Sequence, residues 1–135
     1  MNSELRNNLK KRGFKRFVNS FKYSLAGLKY TIKEEQSIVV MLIATITAII
    51  IAFILEISIL EWIFIVLAMG IVLAFELMNT AVEATVDLVS PNIHPLAKIA
   101  KDTASASVFI SSLMAFVIGG FIFIPKIINM IEMGW

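Results

Sequence analysis

Asn79, Thr80, Glu83 and Asp87 fall three, four, seven and eleven residues after Glu76, which puts the five on one helix face with Glu76 and Glu83 about 10 Å apart along the axis. They follow Trp62 to Phe75, an uninterrupted apolar run too short to cross a bilayer alone, so the span has to continue through them. Counted inward from Trp62, Glu76 lies about 20 Å from the outer boundary and about 10 Å below the cytoplasmic one. A carboxylate at that depth is costly and marks a functional site. Two carboxylates from different helices form a hard oxygen site suited to Mg2+, which keeps several waters and shares phosphate oxygens with a nucleotide. A third, sunk deeper, can act as general base on an alcohol whose tail lies in lipid. Lys101 and the N-terminal Arg and Lys residues can hold phosphates. The set suits phosphoryl transfer from a nucleotide to a lipid alcohol.

Each residue also has a plainer reading. Glu83 and Asp87 could be a solvated helix end, and Asn79 an interhelical hydrogen-bonding group. His94, the sole histidine, could be an exposed loop residue, and Ser105 and Ser107 small packing residues. Glu76 and Glu83 could instead relay a cation in a small oligomeric transporter. A transport path would also need polar groups in the outer half of the spans, where Thr45, Thr47 and Ser112 offer little. A structural anchor would leave a buried Glu76 without a purpose.

Three spans must position these groups. Ile38 to Leu55 is apolar except for Thr45 and Thr47 and covers about 27 Å. The second span runs through Trp62 to the acidic segment, and the third contains Val108 to Ile124 and closes around Pro125 and Lys126. The expected helices cover about 36–55, 61–88 and 103–125. Span one begins just after Glu34 and Glu35, and span three just after Lys101 and Asp102, so the acids gather at one depth. Ahead of them, Phe14, Phe17, Val18, Phe21, Leu25 and Leu28 recur at helical spacing with lysines on another face. This predicts an interfacial amphipathic helix over about 9–33, drawn to anionic lipid. Ser107, Ser111, Ala115 and Gly119 form a small-residue stripe expected to pack on another helix, in the same chain or a neighbour.

The 135 residues are 59% apolar and 16% charged, too apolar for an ordinary soluble domain. Arg6, Lys10, Lys11, Arg12, Lys15, Arg16, Lys22, Lys29 and Lys33 precede residue 38; only Lys98, Lys101 and Lys126 follow. The positive-inside rule puts the N-terminus in the cytoplasm and the C-terminus outside, with Trp62, Trp135 and the Pro125–Lys126 break at the outer interface. The absence of cysteine excludes disulfides, thiolate chemistry and Cys-based zinc. The basic start leads into Phe14, Lys15, Arg16 and Phe17 and is not expected to be a cleavable signal peptide. Neither a P-loop nor a protein-kinase catalytic loop occurs.

The run Glu76-Leu-Met-Asn79-Thr-Ala-Val-Glu83-Ala-Thr-Val-Asp87, followed by His94-Pro-Leu-Ala-Lys-Ile-Ala-Lys101-Asp102-Thr-Ala-Ser-Ala, resembles the prokaryotic diacylglycerol kinase family. Tyr23-Ser24, Gly27-Leu28 and Glu35 also fall where that family has them, so the likeness extends from about Phe14 to Lys126. It implies an all-α integral membrane kinase, a single domain over 1–135. Three transmembrane helices and an N-terminal surface helix would assemble as a homotrimer with sites between subunits. ATP and a lipid alcohol are the implied substrates, Mg2+ the implied cofactor, membrane lipids the surroundings, and no nucleic acid is expected as a partner.

By the same resemblance, Glu76 is the general base near the lipid hydroxyl, Asn79 supports it, and Glu35 and Glu83 are the metal ligands. Arg16, Tyr23, Glu35, Glu83, Asn92, His94, Lys101 and Asp102 match nucleotide-side positions. Ser105 sits near the lipid substrate, although with Ser107 it stands where many members have Ala or Gly. The segments Leu55 to Trp62, His94 to Lys98 and that around Pro125 look more like the Gram-positive branch, whose members phosphorylate undecaprenol, than the Gram-negative one, which phosphorylates diacylglycerol.

Overall fold

The structure, a computed structural model, describes residues 14–90, 92 and 94–133. Four helices make up the described chain: α1 (Phe14–Glu34), α2 (Gln36–Ile54), α3 (Ile59–Val89) and α4 (Pro95–Met133). They divide after Glu34 into two compact units, one holding α1 and the other α2 to α4. In the second unit all three helices are long and apolar enough to cross a membrane.

The α1 unit is one helix whose Phe17 and Phe21 rings, a turn apart, meet edge to face at 5.1 Å. The expected start near residue 9 lies outside the described residues, as does Trp135. Glu35 interrupts the helical backbone with an extended conformation, φ −107° and ψ 116°, and caps α2 without using its side chain.

The helices of the second unit are joined at one end by a tight turn. Ile57 N–H donates to Ala52 O and Glu56 N–H to Phe53 O, the paired bonds of a Schellman closure. That closure needs a left-handed residue at Glu56, which adopts φ 47°. Ser58 then caps α3: its hydroxyl accepts from Glu61 N–H while the Glu61 carboxylate accepts from Ser58 N–H at 2.6 Å, a reciprocal capping box. Glu61 also pairs with Lys126 of α4 at 3.2 Å. Around this turn Ala52, Ile57, Ile65 and Ile122 form a buried cluster flanked by Trp62, Met69 and Phe123, with Phe53 and Trp62 in ring contact at 4.9 Å.

Helix α3 is the centre of the unit, packed chiefly on α4 and less extensively on α2. Its buried residues are Ile65, Ala68, Val72, Glu76 and Thr80, at steps of three and four, so they share one face. The small-residue stripe of α4 contributes to packing within the chain. Ser111 is buried, while Ser107, Ala115 and Gly119 are half-buried.

Helix α4 differs from the expected 103–125 at both ends. It begins at Pro95, so Lys98, Lys101 and Asp102 are helical residues rather than members of a connection. Proline suits the first helical position because that N–H has no intrahelical partner, and His94 Nδ1 accepts the Leu96 N–H at 3.2 Å in the manner of a cap. At the other end the helix passes through Pro125 and reaches Met133, where a break had been expected. A proline removes a single ladder bond, and a long apolar helix tolerates that loss where its neighbours and local adjustments re-satisfy the freed carbonyl.

Candidate active site

Glu76 is only 3% exposed and is the one charged residue on the buried face of α3. Its placement follows from the register of that face: eleven residues beyond Ile65 and four beyond Val72, it falls where an apolar residue would otherwise sit. A buried carboxylate has to be hydrogen-bonded, and Ser37 in the first turn of α2 supplies the bond, its hydroxyl donating to Glu76 Oε1. Thr80, one turn on, donates its hydroxyl to the Glu76 main-chain carbonyl at 3.2 Å.

Asn79 and Glu83 form the next layer. The Asn79 amide Nδ2 donates to Glu83 Oε1 at 3.0 Å, an i to i+4 pair on one helix face. Its Oδ1 is buried and has no donor among the described residues. Because Asn79 spends its donor on Glu83, that oxygen is suited to an external hydroxyl or ammonium proton.

One turn beyond Glu83, Asp87 pairs with Lys101 of α4 at 2.6 Å. This ion pair ties the two helices beside an open cleft of about 280 Å³. Asp87, Asn92, His94, Lys98, Lys101 and Asp102 line it, so four residues singled out from sequence (Asn92, His94, Lys101 and Asp102) are gathered at one mouth. Arg16 and Tyr23 stand exposed on α1, two turns apart, in the other unit. Ser105 is exposed on α4 and makes no side-chain hydrogen bond among the described residues.

Two partners escaped the sequence reading: Ser37 as the donor to Glu76, and Asp87 as the partner of Lys101. Ser37 is the first hydroxyl of span one, at the depth of Glu76, which is the signal that could have drawn attention to it. Lys98, which also lines the cleft, had been counted only for its charge.

Among the described residues no three carboxylate or histidine side chains converge to hold a metal ion. A magnesium ion that shares phosphate oxygens needs only one or two carboxylates. Glu35 and Glu83 fit that role as donors. Both are half-buried, Glu35 spends no oxygen on its cap, and Glu83 keeps Oε2 when Oε1 accepts from Asn79.

A further cleft of about 490 Å³ runs between α2, α3 and α4 and is almost wholly apolar, lined among others by Met41, Ala48, Ala68, Val72, Gly119 and Phe123. Of the α3 residues that line it, Val72 is the nearest to Glu76 in the chain, one turn away on the same face.

Three membrane-length helices, a buried carboxylate, an apolar cleft and a polar cleft holding two lysines and two aspartates make up the candidate site of a membrane protein. The sequence matches the prokaryotic diacylglycerol kinase family over residues 22–123, and the chain belongs to that family, a class of membrane lipid kinases. It is 39% identical over 112 residues to the undecaprenol kinase of Bacillus subtilis, an alignment covering 83% of this chain and 91% of that one. The diacylglycerol kinase of Pseudomonas aeruginosa is 38% identical over 99 residues, 73% of this chain and 80% of that one. That of Escherichia coli K12 is 30% identical over 103 residues, 76% and 84% respectively.

Proposed function

We propose that the chain transfers the γ-phosphoryl group of ATP to undecaprenol. The observation that carries the reading is Glu76, a carboxylate buried one turn beyond Val72 of the apolar cleft and held by a neutral hydroxyl, with the Asn79 Oδ1 acceptor unfilled among the described residues one turn away. The lipid tail occupies the apolar cleft and its hydroxyl reaches Glu76, which accepts the proton as the oxygen attacks the γ-phosphorus and the bond to the β,γ-bridging oxygen breaks, releasing ADP. Asn79 holds Glu83 in place and presents Oδ1 to the reacting hydroxyl. The nucleotide lies in the polar cleft, where Lys101 offsets phosphate charge, Asp87 orients Lys101, and Asn92, His94 and Asp102 contact the remainder. Glu35 and Glu83 hold Mg2+, which when bound offsets the charge of the phosphate oxygens. Phosphoryl transfer is mostly positioning and electrostatics, so such a spare site suffices.

Undecaprenol is preferred over diacylglycerol because the Bacillus subtilis relative, covered along 91% of its length, carries that activity in its name. In this reading α1 lies in the cytoplasmic interface as an amphipathic helix, and its Arg16 and Tyr23 are nucleotide-binding residues. Ser105 stands near the lipid. The N-terminus is cytoplasmic and the C-terminus outside, following the distribution of Lys and Arg. The chain works as a homotrimer.

The deciding assay uses purified protein in detergent with labelled ATP and Mg2+, offered undecaprenol or diacylglycerol in parallel. Faster labelling of undecaprenol is expected. Faster labelling of diacylglycerol would replace the substrate, and labelling of neither by folded protein would defeat the kinase reading.

A further inference from the structure

The cleft beside Asp87 holds two lysines, and their circumstances differ. Lys101 is committed: its ammonium lies 2.6 Å from Asp87 Oδ1. Lys98, one turn earlier on the same face of α4, lines the same cleft, is exposed, and makes no ion pair among the described residues. Asp102, four residues on from Lys98, lines the cleft too without pairing with it.

The charges can be summed over the lining residues. Asp87 and Asp102 contribute two negative charges, Lys98 and Lys101 two positive ones, and a neutral His94 none. The cleft is neutral with Lys98 and carries one net negative charge without it. A nucleoside triphosphate is polyanionic, and a cleft of net negative charge at short range repels it, the more so at low ionic strength. Lys101, already facing a carboxylate, cannot supply the whole attraction. His94 Nδ1 is already occupied, accepting the Leu96 N–H at 3.2 Å.

We infer that Lys98 is a further nucleotide-binding residue, the uncommitted cation of the cleft, whose ammonium contacts the polyphosphate directly. The inference rests on the cleft being the nucleotide's, and it adds a residue that the family resemblance did not single out. Lys98 carries none of the chemistry itself. It acts on affinity, because its charge meets the nucleotide equally before and during transfer.

The test is steady-state kinetics of the full-chain enzyme in lipid vesicles, titrating MgATP at about 20 mM and about 300 mM salt, which span strong and weak screening. Lys98→Gln should raise the KM for ATP roughly tenfold at low salt, with kcat within about twofold and the lipid KM unchanged. Lys98→Arg should restore KM to within about twofold, and Lys98→Glu should exceed the glutamine variant. Lys101→Met, run alongside, reports on the cleft. If it raises the ATP KM while Lys98→Gln and Lys98→Glu do not, the inference about Lys98 is overturned and the cleft reading stands. If none of the three moves it, the cleft is not the nucleotide's and both fall. An effect of Lys98→Gln that follows the anionic-lipid content of the vesicles instead of ATP would make a lipid headgroup the ligand and overturn the inference as well.

Discussion

Ser37 of α2 donates its hydroxyl to the carboxylate of Glu76 on α3, the one cross-helix hydrogen bond of the buried acid among the described residues. A hydroxyl fixes the rotamer of a carboxylate without bringing a second charge onto the buried face. The bond therefore sets the position of Glu76.

Removing the hydroxyl should cost rate more than affinity. Ser37→Ala is expected to lower kcat about tenfold and leave the KM for ATP within about twofold, since a buried acceptor loses its donor and the carboxylate its fixed rotamer. Ser37→Thr, which keeps the hydroxyl, should retain most of the activity. Initial rates on undecaprenol at saturating ATP decide it, and an alanine variant as fast as the parent would remove Ser37 from the site.

Glu76 and Glu83 should separate by the kinetic parameter they move. Glu76→Gln is expected to lower kcat by about 10²–10⁴-fold with limited change in ATP binding, as fits the loss of a general base. Glu83→Gln should weaken metal-nucleotide binding instead and raise the KM for MgATP. Rates measured across a MgATP titration distinguish them. A Glu76→Gln enzyme within a few-fold of the parent would refute the base assignment.

The turn between α2 and α3 offers a gain in stability. Glu56 holds a left-handed conformation that costs an L-residue about 1–2 kcal/mol, a position where glycine is commonly found. Glu56→Gly relieves that cost against a loss of about 0.5–1 kcal/mol in chain entropy. The apparent Tm in detergent should rise by about 1–3 °C with activity unchanged. Glu56→Ala, which keeps a Cβ, should give no such rise. Equal Tm values for the glycine variant and the parent would mean the turn holds no relievable strain.

The spans were legible because Ile38 to Leu55, Trp62 to Phe75 and Val108 to Ile124 are long apolar runs with little competing signal. Helical spacing alone also put Asn79 and Glu83 on one face, although Asn79 was read as an interhelical group and its bond to Glu83 within the helix was not foreseen. The start of α4 was hidden because Lys98, Lys101 and Asp102 lower the local hydropathy, although nothing between Pro95 and Ser107 breaks a helix. Polarity there marks a helix end projecting beyond the apolar layer. The Ser37–Glu76 bond was not legible for a different reason: spacing within a segment says nothing about the vertical register of two helices, which packing of whole faces determines. Pro125 misled in the opposite direction, since a residue that ends helices in water is tolerated within a long apolar one.

The common face of Ile65, Ala68, Val72, Glu76 and Thr80 limits how the enzyme can move. Successive residues are turned by about 100°, so a twist of α3 large enough to hydrate Glu76 would expose the entire row. A twist of the helix cannot uncover the carboxylate without uncovering its neighbours. The row is held as a unit by packing, and a bulkier side chain at Ala68 would disturb the register that places Glu76 two turns away.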